Sequence, residues 1–97
     1  MTTTLHIDNT VRDYDTWKAA FDQYDRFRAD HGVRTYRVGR VEGDPSRVLV
    51  DLDFDDRAAA AAFRTALAPV LATPRSRAMV TDHHSWLVEL VEERISA

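Results

Sequence analysis

Apolar and polar residues alternate with a period of two along positions 48–54. Val48, Val50, Leu52 and Phe54 fall on one side, and Leu49, Asp51 and Asp53 on the other. Successive side chains of a strand point to opposite faces, so this segment predicts a strand with one apolar and one acidic face. The same period runs from Thr3 to Val11, where Leu5, Ile7, Asn9 and Val11 alternate with His6, Asp8 and Thr10. Asn9 on the apolar side predicts a bulge or an early end to that strand. Val33 to Val41 predicts a further strand, and the turn-forming run Glu42-Gly43-Asp44-Pro45-Ser46 joins it to a strand from Arg47 to Phe54 as a hairpin. A last strand covers His83 to about Val91, with Trp86, Val88 and Leu90 assigned to its apolar side.

Between the strands the period lengthens to three and four. Tyr14, Trp17, Phe21, Tyr24 and Phe27 form one helical stripe, with Asp13 as its cap, Asp15 in the first turn and Gly32 at the stop. Arg26, Arg28 and Asp30 are placed on its solvated side. A second helix starts behind Asp55 or Asp56, runs through the alanines 58–62 with Phe63 and Leu67 on its buried side, and ends or bends at Pro69. Thr73-Pro74 caps and starts a short extra turn reaching about Met79. The order β-α-β-β-α-β predicts an α+β, ferredoxin-like domain with a four-stranded antiparallel sheet. Right-handed crossovers put the first and third strands at the centre, the fourth beside the first and the second beside the third. Two helices cover one sheet face. The other stays open unless a partner covers it.

A length of 97 residues with 44% hydrophobic composition accommodates one core, so 1–97 is read as a single domain for which self-association is expected. Cysteine is absent, which excludes disulfides and thiolate chemistry. The amino terminus lacks the basic start and apolar run of a signal peptide, and no apolar stretch approaches the roughly 20 residues that span a bilayer. A cytoplasmic protein with no membrane partner is expected. A net charge of −3 argues against nucleic acid, as do aspartates without stacking aromatics on the third strand.

The open face is expected to gather His6 and Asp8, Thr35 and Arg37, Asp51 and Asp53, and His83, Ser85 and Leu87. Imidazole, carboxylate and guanidinium groups together can move protons where burial tunes them. The bland alternative is a solvated face of weak ion pairs. His83 and His84 are strand neighbours facing opposite ways, so they cannot easily share an ion, and no metal site is assigned. Magnesium on Asp8, Asp51 and Asp53 is a minor reading, without a phosphate-binding loop to accompany it. Trp17 and Tyr24 belong to the core stripe but can reach the edge of a ligand pocket.

The segment Val11-Arg12-Asp13-Tyr14-Asp15-Thr16-Trp17-Lys18-Ala19-Ala20-Phe21-Asp22, with His31-Gly32-Val33, Tyr36-Arg37-Val38, Asp44-Pro45-Ser46-Arg47-Val48 and Phe54-Asp55-Asp56, resembles small bacterial proteins of the dimeric α+β barrel superfamily. These include antibiotic-biosynthesis monooxygenase-like proteins and short proteins called cyclases. The resemblance implies a homodimer whose open sheet faces pack together, with a small-molecule pocket between sheet and helices or between subunits. Relatives include cofactor-independent oxygenases of aromatic polyketides, muconolactone isomerases, haem-degrading enzymes and proteins without known activity. The haem-degrading members use an Asn, a Trp and a His, and Asn9 is the only asparagine here. The oxygenases hold a phenolic substrate with Trp, Asn, Tyr and Arg groups, types that Trp17, Tyr36, Arg37 and Trp86 supply.

The resulting expectation is a homodimeric enzyme acting without metal or cofactor on a small cyclic or polyketide-like molecule, by cyclisation, isomerisation or cofactor-free oxygenation. His83 or His6 moves the proton, Asp51 or Asp8 orients it, and Arg37 stabilises a developing oxyanion. Asp8, Asp53, Trp17, Tyr36, Ser85 and Trp86 are the expected substrate contacts. The alternative is a non-catalytic dimeric ligand-binding or accessory module, with haem binding a weaker third reading.

Overall fold

The structure, a computed structural model, describes residues 2–96. Strand β1 (Thr3–Val11) leads into helix α1 (Tyr14–Gln23) and the short helix α2 (Asp25–Asp30). Strands β2 (Thr35–Val41) and β3 (Asp44–Phe54) form a hairpin, followed by helices α3 (Arg57–Leu71) and α4 (Pro74–Met79) and strand β4 (Val80–Glu89). The sheet is antiparallel in the order β2-β3-β1-β4, the ferredoxin-like order that right-handed crossovers require.

Local chemistry sets the element ends. Asp13 Oδ2 accepts from the Thr16 N–H at 3.0 Å, and Asp56 Oδ1 accepts from the Ala59 N–H at 2.8 Å, satisfying orphan donors at the starts of α1 and α3. Thr73 caps α4, whose first residue is Pro74. Gly32 follows α2 with φ of 89°, a left-handed conformation that glycine adopts without penalty. The core lies between the helices and one sheet face. Leu5, Ile7, Val11, Val48, Val50, Leu52 and Phe54 meet Trp17, Ala60 and Phe63 there.

Several expectations need correction. The β2–β3 turn is tighter than the five-residue run suggested: Val41 pairs with Asp44 across Glu42-Gly43, Gly43 has φ of 84°, and a bulge follows between Arg40 and Val41. Helix α3 continues through Pro69 to Leu71. Strand β1 runs past Asn9 to Val11, with its irregularity against β4 delayed to Thr10/Val11. The aromatic stripe is not one helix, because the chain breaks at Tyr24 (φ −97°, ψ 15°). The carbonyl of Phe21 then accepts from the Tyr24 N–H at 3.1 Å and from Arg28 Nη1 at 2.8 Å. Arg28, expected in solvent, is 4% exposed.

The consequential correction concerns β4. Residues directly opposed on neighbouring strands share a face. Leu5 opposes Leu87, Ile7 opposes Ser85 and Asn9 opposes His83, so Leu87, Ser85 and His83 face the helices. Thr4 opposes Val88, His6 opposes Trp86 and Asp8 opposes His84, which puts those β4 residues on the open face. This reverses the orientation expected from the bulk of Trp86 and Val88. Both sides of β4 carry apolar residues, so alternation alone does not choose between them.

Candidate active site

The reversal of β4 carries His83 into a cavity of about 100 Å³ between the sheet and the helices. Its walls are apolar: Ile7, Val50 and Leu52 from the sheet floor, Trp17, Ala20 and Phe21 from α1, Phe27 from α2, and Phe63, Leu67 and Val70 from α3. Met79 and Val80 line it where α4 passes into β4. A mostly apolar cavity with a few convergent polar groups is the usual form of a small-molecule site. Here the principal polar groups are Asn9, His83 and Arg28.

Asn9 and His83 form a pair. Asn9 is buried at 5% exposure on the helix-facing side of β1. A buried amide needs a partner, and the opposed His83 supplies it with Nδ1 at 2.6 Å from Asn9 Oδ1. With the amide oxygen accepting, Nδ1 carries the proton and Nε2 keeps its lone pair, the form of imidazole that can remove a proton. Burial holds the His83 pKa below the ordinary histidine value, helped by the nearby charges of His84 and Arg64. His83 therefore stands neutral and basic near neutral pH.

Arg28 lies in the cavity wall with its guanidinium carbon 3.7 Å from the centre of the Phe21 ring and 4.9 Å from that of Tyr36. Nη1 is held by the Phe21 carbonyl, while Nε and Nη2 are buried without a hydrogen-bond partner among the described residues.

The open sheet face carries a different network. His6 Nδ1 lies 2.6 Å from Asp51 Oδ1. Arg37 reaches Asp53 at 2.9 Å and Asp51 at 3.7 Å. The Thr4 and Thr35 hydroxyls donate to Asp53, each at 2.7 Å. These bonds, Arg37 foremost, lower the Asp53 pKa to about 2. Arg47 grips Asp8 through Nε at 3.1 Å and Nη2 at 2.6 Å, and holds its carboxyl below the usual range. Trp86 stands among them, 50% exposed, with the His6 ring centroid 5.7 Å and the His84 centroid 6.3 Å away.

The expected site residues thus divide between two faces of one sheet. His6, Asp8, Arg37, Asp51, Asp53 and Trp86 share the open face. His83, Ser85, Trp17 and Tyr36 lie on the helix side, where His83 and Trp17 line the cavity. The structure separates His83 from Asp51 and Asp8, the carboxylates expected to orient it, because they lie on the opposite face of the sheet. Asn9 and Arg28 were missed, although both left a signal. Asn9 is a lone amide in an apolar alternation, and Arg28 falls four residues after Tyr24 on the buried stripe.

Among solved structures, the chain is similar to SnoaB, a cofactor-independent oxygenase from Streptomyces nogalater, with 19% identity, 95% of each chain covered and a TM-score of 0.72. It is also similar to a dimeric ferredoxin-like protein from an uncultured marine organism, with 16% identity, coverage of 96% of this chain and 97% of that one, and a TM-score of 0.69. A Nitrosomonas europaea protein described as a candidate antibiotic biosynthesis monooxygenase aligns at 12% identity over 93% and 90% of the two chains, with a TM-score of 0.67. The chain has their fold. No protein-family model matches the sequence, and no curated protein matches it significantly. At such identities the likeness is one of fold, and function has to be argued from the site.

Proposed function

We propose that the protein is a homodimeric enzyme that acts by acid/base catalysis on a small cyclic or polyketide-like molecule bound in the cavity between sheet and helices. The observation that carries this reading is the Asn9–His83 pair in an otherwise apolar cavity. A neutral imidazole with a fixed tautomer among apolar walls suits the removal of a proton from carbon next to a carbonyl. Nε2 takes the proton, and the electron pair of the broken C–H bond moves onto the carbonyl oxygen as an enolate. Reprotonation at another carbon gives isomerisation, and attack of the carbanion on a second carbonyl gives cyclisation. Reaction of the carbanion with dioxygen gives cofactor-free oxygenation. The likeness to SnoaB, an oxygenase described as cofactor-independent, favours the last of these. In this reading His6, Asp51, Arg37 and Asp53 belong to the subunit interface rather than to the reaction.

Proton abstraction is common to all three outcomes, so hydrogen–deuterium exchange at carbon tests the proposal before the reaction is known. Anthrone and 2-tetralone, each with an acidic C–H beside an aryl ring, are incubated with the protein in D2O and followed by NMR. Exchange well above the buffer rate is expected, falling by roughly 10²–10⁴ in His83→Ala and persisting in His6→Ala. Exchange no faster than buffer for either probe favours the non-catalytic ligand-binding module. Loss in His6→Ala with retention in His83→Ala moves the chemistry to the open face.

A further inference from the structure

Arg28 is a permanent charge in an almost dry position, and a buried charge needs compensation. What it has in the folded chain is partial. The Phe21 carbonyl takes Nη1, and the rings of Phe21 and Tyr36 provide cation–π contact. The nearest carboxylate, Asp25 Oδ1, is 3.7 Å from Nη2, beyond hydrogen-bond distance, on a side chain 72% exposed. Nε and Nη2 have no hydrogen-bond partner among the described residues. These two donors form one edge of the guanidinium, and that edge matches the two oxygens of a carboxylate. The same molecule displays the match: Arg47 presents its Nε and Nη2 to the two oxygens of Asp8. Arg28 lines the cavity and holds the equivalent fork without a hydrogen-bond partner among the described residues, its guanidinium fixed by the Phe21 carbonyl and the two rings.

We infer that Arg28 is a specificity-determining residue that binds a carboxylate of the substrate. The inference rests on the cavity being the substrate site and adds the chemical class that the site selects. Tyr36, beneath the guanidinium, and His83 belong to β2 and β4, the two edge strands of the sheet. The selected substrate is therefore an acid, with its carboxylate toward α2 and its reacting carbon toward His83. Preorganisation matters here, because a fork already held in place loses little freedom when the ligand arrives.

The test compares 3-phenylpropionate with 3-phenylpropionamide, equal in shape but differing in charge, by calorimetric titration and by the NMR shifts of His83. Wild type is expected to bind the acid at least about tenfold more tightly, the range of a charged hydrogen-bonded pair. Arg28→Gln is expected to erase that preference, with the larger loss of affinity falling on the acid. Arg28→Lys, which keeps charge and loses the fork, retains only a few-fold preference. Asp25→Asn, an exposed change that does not threaten folding, keeps the preference or enlarges it by removing the competing carboxylate. Equal affinity of wild type for acid and amide, with His83 shifts for both, removes the role of Arg28 and leaves the cavity as a site. Full preference surviving in Arg28→Lys overturns the bidentate assignment. Failure of both probes to bind wild type overturns this inference and the cavity reading together.

Discussion

A histidine facing apolar side chains is usually no more than a packed ring, and what distinguishes His83 is the amide across from it. Asn9 fixes the tautomer, partial burial keeps the ring neutral, and the walls around it are apolar. Its titration is directly measurable. In an NMR pH series the His83 ring is expected to have a midpoint below the ordinary 6.5, and a midpoint at or above that value contradicts the burial argument. The sign for stability follows from linkage. The unfolded chain binds the proton more readily, so His83 destabilises the fold as pH falls below 6.5 and contributes no further loss below its depressed folded pKa. Activity dependent on the neutral base should accordingly hold into mildly acidic solution. Removing the partner is a separate matter. Asn9→Ala leaves Nδ1 unsatisfied in a half-buried setting, at a cost of about 1–3 kcal/mol, readable as a lower urea midpoint with unchanged slope.

At the level of elements, helix α3 is the cavity wall expected to move. A cavity of about 100 Å³ is smaller than the roughly 150 Å³ that admits benzene, so a ring enters only if that wall shifts outward. Pro69 lies within α3 and contributes no N–H to the helix, while Leu67, Val70 and Leu71 beyond Phe63 are only partly buried. Pro69→Ala restores the missing bond and is expected to raise the melting temperature and slow ligand association in stopped-flow measurements. Unchanged association would place the entrance elsewhere. Strand β4 explains how far the site was legible in the sequence. Strands β1 and β3 each carry one apolar and one polar side, and their faces were readable from alternation. Strand β4 sets Ser85 and Leu87 against Trp86 and Val88, so its face is decided only by pairing with β1. The topology and His83 were therefore within reach of the sequence, while the surroundings of His83 were not. Arg28 was hidden for a different reason: the break at Tyr24 changes which side of the chain is buried, and a charged residue is assigned to water by default.

At the scale of the whole molecule, the open sheet face poses the remaining structural question. Trp86 and Val88 are 50% and 46% exposed on it. Around them the charges are largely paired within the chain: Arg37 with Asp53 and Arg47 with Asp8, while His6 Nδ1 sits against Asp51. Charges already paired lose less on leaving water than free ones, and exposed aromatic and β-branched side chains gain from being covered. A second copy applied to this face is the occupant proposed here, and it would leave the cavity untouched, because the sheet separates the two. Wild type is expected to sediment at twice the chain mass, with a melting temperature that rises with protein concentration. Trp86→Glu places a carboxylate in the exposed apolar part of that face and should produce monomers of lower stability. Asp53 gives the same interface a pH signature. Its folded pKa of about 2 lies below the ordinary 3.8, so the stability it contributes is complete above pH 4 and is lost as pH falls toward 2. Asp53→Asn should lack that component of the acid transition and be less stable at neutral pH. A Trp86→Glu protein that still sediments as a dimer would show that the copies meet elsewhere. A monomeric variant that still binds ligand beside His83 would establish that each subunit holds a complete cavity.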